Sequence, residues 1–307
     1  MSAAVQRILI AGGTGLIGRA IARQLLQDGK EVVILTRHPD RGFAGSEARP
    51  IYWDGKTTHG WSGIVNDMDA VIQLAGESLG GSPWTNERRQ LILDSRVDSG
   101  KAIVEAVQNA RTRPRILIQA SAIGYYGNSE DAAYTETDPA GEGWLGEVCT
   151  AWENSTQGVE AVGVRRVVVR TGLVLERSRG ILPLMALPVR MMVGGKLGSG
   201  RQWISWIHIE DEIRAILALL QSETASGPYN LTAPEPVRNG DFIAQLAAAL
   251  HRPDWLPTPG FAIRLAIGKM SELVLEGQKV LPSQLEAMGF EFCYPTLSQA
   301  LQAIYSK

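Results

Sequence analysis

Three glycines at a spacing of three residues are the sequence feature with the clearest chemical meaning. Residues 11–18 read Ala-Gly-Gly-Thr-Gly-Leu-Ile-Gly, directly after a short apolar run and directly before a segment of helical period. In such a turn Gly12 makes the tight bend, Gly15 lets the backbone approach a pyrophosphate, and Gly18 lets the helix pack closely on the strand. This order favours a dinucleotide site over a turn without a ligand. The cofactor contacts predicted here are Gly12, Thr14, Gly15, Leu16, Ile17 and Gly18.

The end of the second predicted strand bears on the choice of cofactor, because it reads Thr36-Arg37. NAD-binding proteins usually place an acidic residue here, which accepts hydrogen bonds from the ribose hydroxyls. Arg37 can instead pair with the 2′-phosphate of NADP, and Thr36 can add a hydroxyl donor. The alternatives are a solvated surface arginine and, since Asp40 is close in sequence, NAD binding. The sequence predicts NADP(H) as the preferred cofactor, with NAD(H) as the second choice.

The elements that must position these residues follow an alternating pattern. From Arg7 to about Leu175, short apolar runs alternate with longer stretches of helical period, which is typical of βαβ units. Helices are predicted from about Leu16 to Asp28 and from about Asn86 to Asn109. The fold class is therefore α/β, a Rossmann-type doubly wound parallel sheet with a smaller C-terminal lobe. The predicted strands are Ile8–Ala11, Glu31–Thr36, Pro50–Trp53, Ala70–Ala75, Arg115–Ala120 and Arg166–Val169.

Strict alternation ends after Leu175, which indicates a second unit. We predict an NAD(P)-binding Rossmann domain over residues 1–232, whose insert at 176–204 contributes to the substrate cleft, and a small substrate-side domain over 233–307. Thr296-Leu-Ser-Gln299 fits a capping box at the start of the last helix. Further helix-like segments lie near Asp241–Leu250, Phe261–Leu275 and Thr296–Tyr305.

Composition restricts the partners and the compartment. Hydrophobic residues make up 45% of the 307 residues, charged residues 20%, and the formal net charge is −2. This balance favours neither nucleic acid nor a membrane surface as partner. With only two cysteines and four histidines, neither a disulfide framework nor a metal site is expected. No leader or long apolar segment is evident, so we predict a cytoplasmic protein, with a homodimer as the assembly to test.

Several motifs in order resemble one family across nearly the whole chain. The sequence is similar to the extended or atypical short-chain dehydrogenases/reductases, and more closely to their NAD(P)-dependent epimerase-like branch, whose activity is unsettled. The motifs are Gly12–Gly18, Leu74-Ala-Gly-Glu77, Trp84-Thr-Asn-Glu-Arg88 with Ser95-Arg96, Ser121-Ala-Ile-Gly-Tyr-Tyr-Gly127, Arg170-Thr-Gly172, Gly198-Ser-Gly-Arg-Gln-Trp203, Trp206-Ile-His-Ile-Glu-Asp211, Pro228-Tyr-Asn230 and the segments around Leu250–Pro253 and Leu275–Pro282.

The resemblance implies further cofactor residues. It implies that Leu74, Ala75 and Gly76 close over the cofactor and that Arg96 and Arg170 point into the site. Arg96, with Asp94 and Asp98 nearby on its helix, has an exposed charge as the alternative, but the family match favours a cofactor contact. Arg170 has the stronger physical case, because it ends a predicted strand and ligands of such sheets bind beyond the carboxyl ends of the strands.

Members of this superfamily typically use a Tyr-x-x-x-Lys pair, and that pair is missing from the region where it belongs, since no lysine occurs between Lys101 and Lys196. Matching Glu153 to the acidic residue after the motif places Leu145 and Cys149 at its two positions, and a shift of one residue places Trp144 and Val148 there. The literal match Tyr52-Trp-Asp-Gly-Lys56 follows the third predicted strand, too early in the fold, and is interpreted as coincidence. Ser121 matches the family's active-site serine and can hold a substrate oxygen.

Tyr125 and Tyr126 are the other catalytic candidates. Without a lysine a tyrosine near its usual pKa of about 10 is a poor base, and a packing role for one of them is an equal alternative. Glu77, Glu147 and Glu153 are set aside because glutamates are mostly solvated. His208 is interpreted as structural.

Two functions follow. The first is an NADP-dependent oxidoreductase or epimerase acting on a small polar metabolite, for which a sugar derivative is one candidate. The second is a non-catalytic NADP-binding or redox-sensing protein, which the missing lysine favours. Trp84, Trp203 and Trp206 can line an apolar substrate pocket or form a domain interface.

Overall fold

The computed structural model describes residues 5–41 and 47–306. Positions 1–4, 42–46 and 307, which fall within the two predicted domain ranges, lie outside the described residues. The strands are β1 (Arg7–Ala11), β2 (Glu31–Thr36), β3 (Arg49–Tyr52), β4 (Ala70–Gln73), β5 (Ile116–Ala122), β6 (Ala133–Tyr134), β7 (Arg165–Thr171), β8 (Leu173–Leu175), β9 (Trp203–Ile204), β10 (Trp206–His208), β11 (Gly227–Leu231), β12 (Val237–Arg238) and β13 (Lys279–Val280).

The helices connect these strands and build the smaller lobe. They are α1 (Leu16–Gln27), α2 (Asn86–Asn109), α3 (Trp144–Asn154), α4 (Leu182–Arg190), α5 (Ile209–Gln221), α6 (Asn239–Ala249), α7 (Gly260–Ile267), α8 (Glu272–Leu275), α9 (Ser283–Ala287) and α10 (Leu297–Tyr305). None of the helices in the described part of the chain is long and apolar enough to cross a bilayer.

A seven-stranded parallel sheet forms the centre, in the order β11-β7-β5-β4-β1-β2-β3. The strand order reverses between β1 and β4, and such a switch point opens a crevice at the carboxyl ends of the strands. Ala11 pairs with Leu35 on β2 and with Gln73 on β4. The turns that follow these three strands therefore meet at one edge. The predicted α/β, Rossmann-type fold is confirmed.

Both faces of the sheet are covered, which explains why its strands are apolar almost throughout. One face packs against α1 and α5 through side chains such as Ile21 and Ile216. The other face packs against α2 through Ile103 and Val107. The sequence did not indicate β11 as a strand. It lies at the edge of the sheet and begins Gly227-Pro228, and residues of these two types are poor strand formers.

The smaller lobe has its own apolar core. Helix α4, from the predicted insert, packs there with α6 and α10 through Ala186, Phe242 and Leu301. The insert thus contributes to the lobe as well as to the cleft. The predicted helix-like segment at 261–275 is broken, because Gly268 adopts φ +56° between α7 and α8. The capping box at the start of α10 is confirmed.

Candidate cofactor and substrate site

Two of the three glycines are required by the fold itself. Gly12 has φ +82°, and a Cβ atom there would lie 2.7 Å from the carbonyl carbon of Leu74. A Cβ atom on Gly18 would lie 2.4 Å from the carbonyl oxygen of Gly12. Side chains at either position would force the glycine turn away from the start of α1 or from the segment after β4. The roles predicted for Gly12 and Gly18, a tight bend and close helix packing, agree with this geometry.

Gly15 is different, because the polypeptide leaves space beside it. Its backbone has φ −74° and ψ −178°, which any residue adopts, and an added Cβ atom would meet only the Gly12 carbonyl oxygen, at 3.4 Å. Gly15 also has no side chain to cap α1, so the N–H groups of Leu16 and Ile17 are left for an anion or solvent. The residues present therefore fit a dinucleotide pyrophosphate at this helix end.

Arg37 lies at the same edge, directly after β2. Its side chain is 68% exposed, and its Nη2 atom lies 3.9 Å from Oε2 of Glu77. Glu77 has a closer partner in Arg88, whose Nη1 atom is 3.1 Å from Oε1. Thr36 is buried, and its hydroxyl oxygen accepts a hydrogen bond from the His38 backbone N–H. The guanidinium of Arg37 is thus accessible to a phosphate, and the Thr36 hydroxyl proton remains to be donated.

A cavity of about 260 Å³ lies between the sheet edge and the lobe. The sheet side supplies mainly small and apolar groups, and the lobe adds amides, hydroxyls and carboxylates. Of the residues predicted to bind the cofactor, Arg96 lines this cavity. The three catalytic candidates, Ser121, Tyr125 and Tyr126, are not among its described lining residues. Among the lining residues are Ala122, Leu145, Val148, Cys149, Trp152, Thr171, Gln202, Trp203, Ser205, Glu272, Glu276 and Gln278.

Ser121 instead belongs to a buried polar network. Its hydroxyl donates to Oε1 of Glu153 at 2.7 Å. Arg170 donates to both carboxylate oxygens of Glu153, each at 2.9 Å, and also to the hydroxyl of Tyr126, at 2.9 Å. The sequence interpretation set Glu153 aside as a solvated glutamate, and that was wrong, because this carboxylate is the acceptor that joins Ser121 to Arg170.

The two tyrosines pack around this network. The guanidinium of Arg170 lies 3.4 Å from the ring centroid of Tyr125. Tyr126 is 1% exposed, and its hydroxyl donates to Oδ1 of Asn230 at 2.7 Å. Burial raises the pKa of Tyr126 to about 12. The geometry therefore favours the packing alternative for Tyr126 over proton transfer. Arg170, predicted as a cofactor residue, is held in the structure by Glu153 and Tyr126.

Cys149 connects the network to the cavity. It lies on α3 at the position matched to the missing lysine, lines the cavity wall and interacts with the Ser121 side chain. Burial, with a smaller contribution from Glu153, raises the pKa of the thiol to about 11, so it is protonated at neutral pH. The cavity wall therefore holds a neutral thiol at this point of α3.

A second buried carboxyl lies behind the cavity wall. The hydroxyl of Thr171 donates to Oε1 of Glu212 at 2.8 Å, while Oε2 has no partner among the described residues. Glu212 is fully buried, and this burial raises its pKa to about 8. The side chain is therefore mostly protonated at neutral pH.

The histidine and tryptophan predictions resolve differently. His208 caps α5, since its Nδ1 atom accepts from the Glu210 N–H at 3.2 Å, which is the structural role predicted. Trp203 lines the cavity, whereas Trp206 is buried in the core of the lobe. Trp84 packs edge-on against Trp144. In the described chain no group of three metal-ligating side chains comes together.

The sequence reasoning missed most of the cavity wall. Cys149 and Trp152 lie on one face of α3, three residues apart, and that helical period was the available signal. Gln202 lies in the insert that was predicted to contribute to the cleft, whereas nothing in the local sequence of Ser205 or Gln278 indicates a cavity.

The parallel sheet and its glycine turn define a dinucleotide-binding protein of the Rossmann class. Residues 8–232 match the NAD dependent epimerase/dehydratase family, and residues 258–304 match a "Domain of unknown function (DUF1731)". An epimerase family protein of Staphylococcus aureus is 40% identical over 307 residues, which cover 99% of this chain and 100% of that protein. The chain belongs to the NAD dependent epimerase/dehydratase family.

Solved structures agree with this assignment. The human epimerase family protein SDR39U1 (isoform 2), crystallised with NADPH, is 30% identical with a TM-score of 0.88, and the match covers 98% of this chain and 100% of that one. UDP-glucose 4-epimerase of Thermus thermophilus, at 18% identity and a TM-score of 0.77 over 98% of each chain, shares the fold.

Proposed function

We propose that the protein is an NADP(H)-dependent oxidoreductase or epimerase-type enzyme that acts on a small polar metabolite in the cleft between sheet and lobe. The observation that supports this most is the exposed guanidinium of Arg37, 3.9 Å from Glu77 and directly after β2, the strand adjacent to β1, which leads into the glycine turn. The NADPH bound to the human relative supports the same cofactor. When bound, NADP(H) would supply or accept hydride.

The cleft supports a small substrate. Its volume of about 260 Å³ is slightly below the range of roughly 300–1,000 Å³ that is common for ligand pockets. Proton-bearing groups at or just behind the sheet side of the wall include Cys149, Thr171 and Ser121. Ser121 and Tyr125 remain the first catalytic residues to test, and Tyr126 is the third.

A second function is favoured by one specific observation. The superfamily's Tyr-x-x-x-Lys pair is replaced, and the Ser121 hydroxyl and the Tyr126 hydroxyl are both engaged inside the protein. A protein that binds NADP(H) without turning it over, and whose ligand-dependent shape governs a partner, would need no proton donor. A homodimer and a cytoplasmic location are parts of the proposal that the sequence alone supports.

The deciding experiment measures binding and turnover separately. The purified protein is first checked for co-purified nucleotide and then titrated with NADPH and with NADH by calorimetry. NADPH absorbance is next followed with a panel of small carbonyl compounds. Selective NADPH binding with turnover supports the enzyme, and selective binding without turnover supports the sensor. Absence of binding to either nucleotide refutes both.

A further inference from the structure

Arg96 is a buried cation whose hydrogen bonds in the described chain go to backbone carbonyls. The residue is 8% exposed and lines the cavity. Its Nη1 atom donates to the backbone carbonyls of Glu77, at 2.9 Å, and Ile92, at 3.0 Å. No carboxylate in the described chain forms an ion pair with it. A buried charge without a partner is costly, so a site that keeps one commonly has a ligand of opposite charge.

The surroundings of Arg96 hold its guanidinium in one orientation. The guanidinium carbon lies 4.8 Å from the ring centroid of Trp152, and the two carbonyls fix Nη1. The side chain also packs under the loop after β4, since a Cβ atom on Gly76 would be 3.2 Å from its Cγ. Its remaining N–H groups, on Nε and Nη2, have no acceptor among the described residues. A guanidinium edge held in this way suits a carboxylate.

Other charged groups near Arg96 do not replace such a ligand. The Glu77 carboxylate pairs with Arg88 and approaches Arg37. Cys149, which faces Arg96 across the wall, has its pKa raised to about 11 and is neutral. The lobe wall carries two carboxylates, Glu272 and Glu276, and Glu276 accepts from Asn128. The one full charge on the sheet side of the cavity is therefore positive.

We propose that Arg96 binds a carboxylate, or a similarly small anionic group, of the substrate. The inference deepens the proposed function by naming a substrate class: a small carbonyl or hydroxy compound that also bears an anion. The cavity volume of about 260 Å³ admits such a compound but leaves little room for a large group. Arg96 thereby acts at the junction between the cofactor loop and the substrate.

The test uses propionate and its neutral isostere propionamide as probes. Both are titrated by calorimetry into the full-length protein, with and without saturating NADPH, and NADPH is titrated separately. We expect propionate to bind more tightly than propionamide. Arg96→Met should weaken propionate about tenfold or more, as the loss of a charge-assisted hydrogen-bonded pair does, and the separate NADPH titration of the same variant measures any contribution of Arg96 to cofactor binding.

Matched variants make the result specific. Arg89 lies on the same helix and stacks 4.5 Å from the Trp144 ring centroid, but it is outside the cavity wall, so Arg89→Met should leave propionate binding unchanged. Arg96→Lys keeps the charge without the fork and should fall between wild type and Arg96→Met. If the melting temperature of Arg96→Met is well below that of the wild-type protein, the propionate affinity of Arg96→Lys alone is used to judge the proposal.

Three outcomes would overturn the assignment: equal binding of propionate and propionamide, no propionate binding by folded wild-type protein, or unchanged propionate binding in both Arg96 variants. A loss of NADPH affinity with unchanged propionate binding would assign Arg96 to the cofactor instead. If wild-type protein fails to bind NADPH, the proposed function fails, while the cofactor-free propionate titration still tests Arg96.

Discussion

Arg170 and Glu153 form a buried, two-pronged ion pair, with Nε and Nη2 of the arginine each 2.9 Å from a carboxylate oxygen. Their side chains are 5% and 12% exposed. The pair links β7 to α3, and Glu153 also accepts a hydrogen bond from the Ser121 hydroxyl. Glu153 keeps the pKa of the Arg170 guanidinium above its ordinary value although burial alone would lower it.

Removing one partner of this pair should strongly destabilise the fold. Arg170→Met leaves the Glu153 carboxylate buried with only Ser121 as a donor, and we expect a loss of about 3–5 kcal/mol in the free energy of unfolding. Urea titration measures it. Arg170→Met combined with Glu153→Met should recover much of the loss, because no charge is left unpaired. The control is the pair of Arg166 with Glu160, whose carboxylate is 46% exposed, and Glu160→Gln should cost less than about 1 kcal/mol. Equal losses at both pairs would contradict this account.

Gly15 and Gly18 should separate binding from folding. In Gly15→Val the added Cβ atom would contact only the carbonyl oxygen of Gly12, at 3.4 Å, so the free energy of unfolding should change by less than about 1 kcal/mol. NADPH and NADH binding should both be abolished, because the side chain fills the pyrophosphate space. Gly18→Ala places a Cβ atom 2.4 Å from a backbone oxygen and should cost about 1–3 kcal/mol of stability. Calorimetry and urea unfolding of both variants check the contrast, and retained nucleotide binding in folded Gly15→Val would refute the pyrophosphate site.

Arg37 should decide between the two nicotinamide cofactors. Arg37→Glu replaces the partner of the 2′-phosphate by a like charge, so NADPH affinity should fall at least about tenfold, as expected for a charge-assisted contact. NADH affinity should change much less. Arg111 is an exposed arginine that precedes β5, at the amino ends of the strands and away from the glycine turn. Arg111→Glu should therefore leave both affinities unchanged. Equal NADPH affinity in wild type and Arg37→Glu would show that Arg37 is only a surface charge.

Glu212 should make stability depend on pH. Its pKa is about 8 in the folded protein against an ordinary value of 4.5, so between these values the unfolded chain binds fewer protons than the folded one. The group's stabilising contribution is therefore present at low pH and is lost as pH rises through this window, with a slope of at most about 1.4 kcal/mol per pH unit.

The variant Glu212→Gln tests this dependence. Urea titrations between pH 5 and 9 should show the variant gaining stability over wild type as pH rises, and the difference should level off above the folded-state pKa. Glu105 is an exposed carboxylate that likewise accepts a threonine hydroxyl, from Thr58 at 3.1 Å, so Glu105→Gln is the control. A constant difference between Glu212→Gln and wild type across the range would rule the assignment out.

The sequence by itself determined the features that depend on near neighbours. The glycine turn, its strand and its helix lie within residues 7–27, and the fold class follows from apolar runs that alternate with helical period. For the same reason α2 was predicted with the bounds Asn86–Asn109 that the structure shows. Arg37 could be placed directly after β2 because that position is fixed along the chain, and its contact with the cofactor stays a prediction.

Only the tertiary structure decided what the buried polar groups do. Glu153 is hydrogen-bonded to Ser121 and to Arg170, which are 32 and 17 residues away in the sequence. Tyr126 is hydrogen-bonded to Asn230, which is 104 residues away. Glutamate is mostly solvated, and its burial here is stabilised by donors from other elements that no local pattern specifies. The cavity wall has the same origin, because packing the lobe against the sheet edge creates it. Electrostatic and packing contacts across such distances become defined only when the chain is folded.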